Sequence, residues 1–142
     1  MRKRRKNYWC EVRNNYADEE NTVYIDAWKT ANEDEEGEVI AKVDQNGKVE
    51  YLNELAKTDQ IAQEIIKETQ FYQLAEKAYG LYIEDWCKVR GYNVSDVDEE
   101  FGINGECYAC FEEFKEIEFR NEEYMKNLLN QEDYNTWKQI MS

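Results

Sequence analysis

Apolar and polar residues alternate along the first third of the chain, and this period of two is typical of half-buried β-strands. Four strands are predicted, and the acidic stretch 32–38 is predicted to join the second strand to the third as a solvated loop. Between the third and fourth strands, Asn46-Gly47 is the dipeptide typical of a type I′ hairpin turn, in which both central residues take positive φ. The predicted apolar faces are Tyr8, Cys10 and Val12, then Val23, Ile25 and Ala27, then Val39, Ala41 and Val43, and finally Val49 and Tyr51.

After Leu52 the apolar spacing lengthens to three and four residues, which is the period of an amphipathic helix. Thr58 is a predicted N-cap, and Gly91 is predicted to end the helical stretch as its C′ residue. The pattern leaves open whether residues 59–90 form one helix or two helices broken near Thr69-Gln70. The apolar stripes comprise Ala62, Ile65, Ile66 and Thr69, followed by Tyr72, Ala75, Ala78, Tyr79, Tyr82, Ile83, Trp86 and Val89.

The last part of the chain carries three more helical stripes. Ser95 with Asp98 matches a capping box, on a one-turn helix that Gly102 would close. Asn121 and Asn130 are predicted N-caps, and they divide the segment after Gly102 into three short helices. The stripes are Cys107, Cys110, Phe111, Phe114 and Ile117, then Tyr124, Leu128 and Leu129, and then Tyr134, Trp137, Ile140 and Met141.

These elements predict an α+β fold, with an N-terminal antiparallel β-meander of three to four strands followed by five to six helices. A chain of 142 residues, 42% of them hydrophobic and with eleven Tyr, five Phe and four Trp, can bury a core as a single domain over residues 8–142. Residues 1–7 are predicted to be a basic, flexible N-terminus. Because no apolar run reaches ~18 residues and no signal-peptide core follows the basic start, we expect a cytoplasmic protein with reduced thiols.

Charge is distributed unevenly along this fold. The chain has 32 Asp and Glu, 18 Lys and Arg and no His, for a formal net charge of −14. Five of the cations lie in the first six residues, so residues 7–142 carry 13 cations against 32 anions. Such a body repels nucleic acid and attracts surfaces that hold nucleic acid.

The acidic excess is concentrated between residues 96 and 123, which contain eleven acids and two cations. On helices their outward carboxylates would approach the charge density of nucleic acid, because a helix rises 1.5 Å per residue and duplex DNA carries one charge per ~1.7 Å. The segment therefore predicts a protein partner with a cationic nucleic-acid groove. The predicted partner-binding residues are Asp96, Asp98, Glu99, Glu100, Glu106, Glu112, Glu113, Glu116, Glu118, Glu122 and Glu123.

The absence of histidine excludes Ser-His and Cys-His nucleophiles, H-E-x-x-H zinc sites and finger-type zinc sites. The calcium-loop pattern fails in residues 96–107, where Phe101 replaces the turn glycine and Cys107 the bidentate glutamate, and in residues 42–53, which begin with Lys42. A carboxylate-bound metal enzyme remains an alternative because carboxylates are abundant. The prediction is a non-enzymatic protein with no catalytic residue, cofactor or metal.

Cys107 and Cys110 form a C-x-x-C motif, and Cys10 and Cys87 are distant in sequence. A zinc site using all four thiols and a redox pair at a helix start are both open alternatives. The prediction is that Cys107 and Cys110 are small buried hydrophobes, since they share a stripe with Phe111.

Residues 23–52 (VYIDAWKTANEDEEGEVIAKVDQNGKVEYL) and 102–119 (GINGECYACFEEFKEIEF), in a small acidic chain without His or Pro, resemble accessory proteins of phages and mobile elements of low-GC Gram-positive bacteria. The chain is similar in character to anti-CRISPR and antirestriction proteins that mimic nucleic acid. The resemblance implies an inhibitor whose partner is a CRISPR effector or a restriction enzyme. It carries no diagnostic motif and implies no particular functional residue.

Two further interpretations concern other surfaces. The basic segment MRKRRK could touch phosphate, so direct nucleic-acid binding is expected only through this N-terminus. Alternatively, the chain is a regulatory or structural partner-binding module whose acidity is incidental. Exposed aromatic side chains such as Trp9, Trp28 or Trp137 would then anchor the interface.

Overall fold

The alternating segments form a four-stranded antiparallel sheet in which strands adjacent in sequence are adjacent in space. The computed structural model describes residues 8–9, 21–29 and 38–142. The strands are β1 (Tyr8–Trp9), β2 (Val23–Lys29), β3 (Glu38–Val43) and β4 (Val49–Tyr51). The predicted meander is confirmed, whereas Cys10, Val12 and the acidic stretch before Glu38 lie outside the described residues.

A hairpin joins β3 to β4 as predicted, but its turn is not of type I′. Gly47 has a φ of 79°, whereas Asn46 does not take a positive φ. The Asp44 carboxylate accepts hydrogen bonds from the backbone N–H groups of Asn46 at 2.8 Å and Lys48 at 3.0 Å, and Gly47 N–H donates to the Asp44 carbonyl at 3.0 Å. These bonds fit a type I turn followed by a left-handed glycine that forms a bulge.

The sheet and the helices that follow it build the core of the first of two compact units, Met1–Gln73 and Leu74–Ser142. Gln70 Nε2 donates to the Gly47 carbonyl at 2.8 Å, which ties the helix to the hairpin turn. The buried core residues of this unit are Ile25, Ala27, Ile40, Ala41, Val43, Ala56, Ala62, Ile65 and Ile66. The prediction of a single domain over residues 8–142 stays a prediction.

Two helices follow the sheet, α1 (Leu55–Thr58) and α2 (Gln60–Arg90). The predicted cap is wrong by one residue, because Thr58 ends α1 and Asp59 caps α2 by accepting a hydrogen bond from the Ala62 N–H at 3.0 Å. The buried Asp59 carboxylate occupies a position that needs a side-chain acceptor. Helix α2 continues through Thr69-Gln70, so this stretch is one helix.

Helix α2 ends as the sequence predicted. Gly91 takes a φ of 77°, and its N–H donates to the Lys88 carbonyl at 3.2 Å. The next N–H, that of Tyr92, donates to the Cys87 carbonyl at 2.9 Å. This pair of bonds is a Schellman motif, which satisfies carbonyl groups that the helix end leaves without partners.

Three short helices complete the second unit: α3 (Phe111–Glu116), α4 (Glu122–Leu128) and α5 (Gln131–Met141). The predicted N-caps are confirmed, since Asn121 Oδ1 accepts from Tyr124 N–H at 3.0 Å and Asn130 Oδ1 accepts from Asp133 N–H at 2.8 Å. With α1 and α2, the described residues contain five α-helices, which confirms the predicted α+β class. Within these residues no helix has both the length and the apolar character that crossing a bilayer requires.

Aromatic side chains fill the core of the second unit. Tyr79 contacts the rings of Tyr82 and Phe114, with centroids 6.0 and 5.3 Å away. The phenol groups of Tyr79 and Tyr82 form hydrogen bonds with the backbone of Ala109. Tyr79 OH donates to the Ala109 carbonyl at 2.9 Å, and Tyr82 OH accepts from Ala109 N–H at 2.8 Å. These two bonds fix the backbone just before α3, where the acidic segment continues.

Candidate partner-binding surface

Four of the predicted acids, Asp98, Glu99, Glu100 and Glu106, lie in a tight loop that we call the acidic loop (residues 97–106). Asp98 Oδ1 accepts hydrogen bonds from the backbone N–H groups of Phe101 and Glu100, both at 2.8 Å, and these bonds lower the pKa of the Asp98 carboxyl. The predicted capping box of Ser95 with Asp98 is therefore wrong. Asp98 caps its own turn, and the preceding residues 94–96 form one turn of 3₁₀-helix.

Asp96 directly precedes the acidic loop, and Glu106 is its last residue. Asp96 is exposed and lies within 3.4 Å of Asn93 Nδ2. Glu106 is exposed too, but its carboxylate accepts from Arg90 Nε at 3.3 Å and from Tyr92 OH at 2.8 Å. Because Arg90 neutralises part of its charge, Glu106 offers less to a cationic partner than the other acids of the loop do.

Helix α3 carries three exposed acids with different partners. Glu112 Oε2 lies 3.1 Å from the Nζ of the buried Lys115, and Glu116 Oε2 lies 3.8 Å from Arg120 Nε. The members of each pair are three or four residues apart, and the Glu116–Arg120 pair, which is exposed at both ends, contributes little to stability. Glu113 has no cation within 4 Å among the described residues, so its charge is unneutralised.

Helix α4 presents Glu122 and Glu123 in its first turn, where negative charge favours the helix N-terminus. Tyr134 OH donates to Glu122 Oε2 at 2.9 Å. This hydrogen bond, together with burial, raises the pKa of the Tyr134 phenol. Both carboxylates remain exposed and have no cation within 4 Å in the described part of the chain.

Glu118 departs from the predicted row of outward acids. It lies in a turn of 3₁₀-helix at Glu118–Arg120, after α3 has ended, and its side chain is half-buried. Its Oε1 atom is buried and has no hydrogen-bond partner within the described part of the chain. The break between α3 and α4 therefore turns this one carboxylate inward, and the expectation that it projects from an outward face is wrong.

Two pairs of the predicted acids each lie close to a tyrosine whose pKa they raise. Asp98 and Glu99 lie close enough to the Tyr108 phenol that their charges, added to the larger effect of burial, raise its pKa. Glu122 and Glu123 act in the same way on Tyr134. The structure thus brings together acids within the acidic loop and acids within α4, with the α3 acids between them in sequence.

The two C-x-x-C thiols are exposed, so the prediction that Cys107 and Cys110 are buried hydrophobes is wrong. Cys110 has an extended backbone, so helix α3 begins at Phe111. The apolar stripe of α3 therefore does not include the two cysteines. Cys87 is buried and Cys10 lies outside the described residues. In the part of the chain that the structure describes, no three His, Cys, Asp or Glu residues gather in a way that could hold a metal ion.

The aromatic anchors also differ from expectation. Trp137 is only 5% exposed, and its Nε1 donates to the Phe119 carbonyl at 2.8 Å, so it belongs to the core and its prediction as an anchor is wrong. The side chains of Trp9 and Trp28 lie outside what the structure describes. Phe101 is an exposed aromatic residue that the sequence analysis did not predict as an anchor, and its position after three acidic residues rather than in an apolar stripe was the available signal.

Comparison of the chain with protein-family models, with curated proteins and with solved structures yields no match.

Proposed function

We propose that this chain is a non-enzymatic, acidic interaction protein that inhibits a bacterial nucleic-acid-binding defence complex, either a CRISPR effector or a restriction enzyme. It acts in the bacterial cytoplasm by occupying the cationic groove that would otherwise hold nucleic acid. The observation that carries the proposal is the exposure of its acids: ten of the eleven predicted partner-binding residues are exposed. Among the described residues, seven of these ten have no cation within 4 Å, namely Asp96, Asp98, Glu99, Glu100, Glu113, Glu122 and Glu123.

Exposed carboxylates that have no cation nearby in the described part of the chain favour binding to a cationic groove for two reasons. They lose no intramolecular ion pair on binding, and their summed field steers a basic surface toward them. The second unit as a whole carries 16 Asp and Glu against seven Lys and Arg. A groove built for phosphates would therefore meet a dense set of negative charges on this unit.

The pKa shifts of the described residues mark no group of this part of the chain for acid–base chemistry. Among the described residues they fall on five tyrosines, all raised, and on Asp98, which is lowered. Each shift moves the pKa of its group further from neutral pH, whereas a general acid or base needs a pKa near the working pH. The shifts of four tyrosines follow mainly from burial, that of Tyr134 follows mainly from its hydrogen bond to Glu122, and the Asp98 shift follows from its two backbone hydrogen bonds.

The test is retention of proteins from a lysate of Gram-positive bacteria that carry CRISPR and restriction systems. Immobilised wild-type chain is compared with a variant in which Glu99, Glu100, Glu113 and Glu123 are each replaced by Lys. The matched control replaces four exposed acids elsewhere by Lys, with the same change in charge: Glu54, Glu64, Glu68 and Glu76.

The proposal predicts that the wild type and the control retain a nucleic-acid-binding complex and that the first variant does not. Both variants should stay folded by circular dichroism, because surface substitutions usually cost under about 0.5 kcal/mol each. Equal losses in the two variants would indicate binding by net charge alone. Equal retention by all three proteins would remove the acids from the interface.

A further inference from the structure

Phe101 exposes 78% of its surface, the largest exposure of any large hydrophobic side chain in the described part of the chain. Single exposed apolar residues are common on protein surfaces, so exposure alone assigns no role. Phe101 is distinguished by its place in the acidic loop. Hydrogen bonds hold the backbone of this loop, and the three residues before Phe101 in sequence carry carboxylates.

Hydrogen bonds within the acidic loop hold the backbone that carries Phe101. Phe101 N–H donates to Asp98 Oδ1, and the backbones of Asp98 and Gly102 exchange hydrogen bonds of 2.8 and 3.2 Å. Gly102 has a φ of 73°, and a Cβ at this position would lie 1.9 Å from the Glu106 carbonyl oxygen. The close approach therefore requires glycine. Because this backbone is already ordered, docking of Phe101 costs little backbone conformational entropy.

The three residues that precede Phe101 in the acidic loop are all acidic. Asp98, Glu99 and Glu100 precede it directly or within three residues, all are exposed, and none has a cation within 4 Å among the described residues. The backbone hydrogen bonds to Asp98 keep its carboxyl ionised at neutral pH. The loop thus places one flat aromatic ring beside a short series of negative charges.

An unstacked nucleotide has the same arrangement, with a flat base beside its phosphates. Grooves that hold single-stranded nucleic acid match it with cationic side chains that track the backbone and with aromatic or Arg side chains on which bases stack. A groove for duplex DNA does not offer this platform, because bases within a duplex stack on one another and show only their edges. The aromatic ring therefore distinguishes between two kinds of cationic groove.

The geometry points to the acidic loop as a mimic of an unstacked nucleotide, which docks in a protein groove for single-stranded nucleic acid. Phe101 takes the place of the base on the stacking platform. Asp98, Glu99 and Glu100 take the place of phosphates on the cations beside it. The inference rests on the proposed function and specifies the kind of groove that the chain covers.

The test compares Phe101→Ala, Phe101→Trp and the control Val89→Ala, which truncates another exposed side chain of the second unit, 73% exposed. Each immobilised variant is exposed to the same bacterial lysate and then eluted with single-stranded oligothymidylate or with a DNA duplex of equal length. Apparent affinities for the retained complex are measured after its purification. Melting temperatures establish that each variant is folded.

Phe101→Ala should bind about 5- to 150-fold more weakly than wild type, the range that corresponds to loss of one base–aromatic stack. Phe101→Trp and Val89→Ala should bind as the wild type does, and the single strand should elute the complex at lower concentration than the duplex. Undiminished binding by Phe101→Ala, or elution by the duplex alone, overturns the inference while charge-led binding stands. Retention of no nucleic-acid-binding protein contradicts both this inference and the proposed function.

Discussion

At the scale of single residues, a few backbone positions decide the local geometry of both units. Gly47 closes the β3–β4 hairpin and Gly102 closes the acidic loop, and both take positive φ. Side chains with a Cβ rarely adopt this conformation, and β-branched residues resist it most. The two glycines therefore carry turns that Asp44 and Asp98 each cap with a carboxylate oxygen.

Replacing Gly47 by Val should lower the free energy of unfolding by about 1 kcal/mol or more, because φ at this position is 79°. The measurement is denaturant unfolding followed by circular dichroism. Gly80→Ala is the control with the opposite sign. Gly80 lies within α2, and a Cβ there would meet no atom within 4 Å, so alanine should raise stability by roughly 0.5–1 kcal/mol. An unchanged stability in Gly47→Val would show that the turn does not need a left-handed residue.

Residue-scale prediction from sequence succeeded where the residue type allows few alternatives. Gly91, Asn121 and Asn130 lie where their chemistry predicted, because left-handed C′ positions and N-cap acceptors accept few residues. Cys107 and Cys110 were predicted to be buried and are exposed. Both precede α3, and helical spacing in the sequence cannot show where a helix begins.

At the scale of elements, tyrosines of α2, of the segment before α3 and of α4 lie in buried or half-buried positions. Burial raises the pKa of Tyr79 to about 12, with a smaller effect from Tyr108. Burial also raises the pKa of Tyr124, and its hydrogen bond to Asp85 at 2.9 Å adds to the shift. The folded state therefore holds these phenols protonated at pH values where an unfolded chain would release the protons.

This difference predicts alkaline unfolding. An unfolded tyrosine has a pKa of about 10, so the stability that Tyr79 contributes is fully present below pH 10 and is lost as pH rises through about 12. The free energy of unfolding, measured by denaturant titration over this range, should fall steadily above pH 10. Tyr79→Phe should make the fall shallower, since one fewer phenol is held protonated. A variant with the wild-type slope would show that Tyr79 does not link stability to pH.

Element-scale prediction from sequence gave the order and type of the strands and helices, since periods of two and of three to four residues are long-range features of the chain. It did not show that α2 is continuous through Thr69-Gln70. Thr69 tolerates the helix interior because its hydroxyl donates to the Ile65 carbonyl at 2.8 Å. The inward turn of Glu118 was equally hidden, since it depends on the 3₁₀-helix between α3 and α4.

At the scale of the whole molecule, sequence composition indicated the class of partner, and the structure describes how the acids are displayed. Glu106, Glu112 and Glu116 are paired with cations, so they are weaker contributors to the proposed surface than equal spacing suggested. Among the residues that the structure describes, Glu99, Glu100, Glu113 and Glu123 have no cation within 4 Å. Ion pairing depends on tertiary geometry, as for Arg90 with Glu106, and the sequence alone could not assign it.

The central claim is that the chain and nucleic acid occupy the same groove of a protein partner. The measurement that tests it most directly is the apparent Kd of the purified chain for the complex it retains, at increasing concentrations of that complex's own nucleic acid. Competition for one groove predicts that the apparent Kd rises in proportion to the nucleic-acid concentration. Charge-led binding also predicts that the affinity falls as the salt concentration rises. An apparent Kd that stays constant while nucleic acid saturates the complex would contradict the claim, because both ligands would then be bound at once.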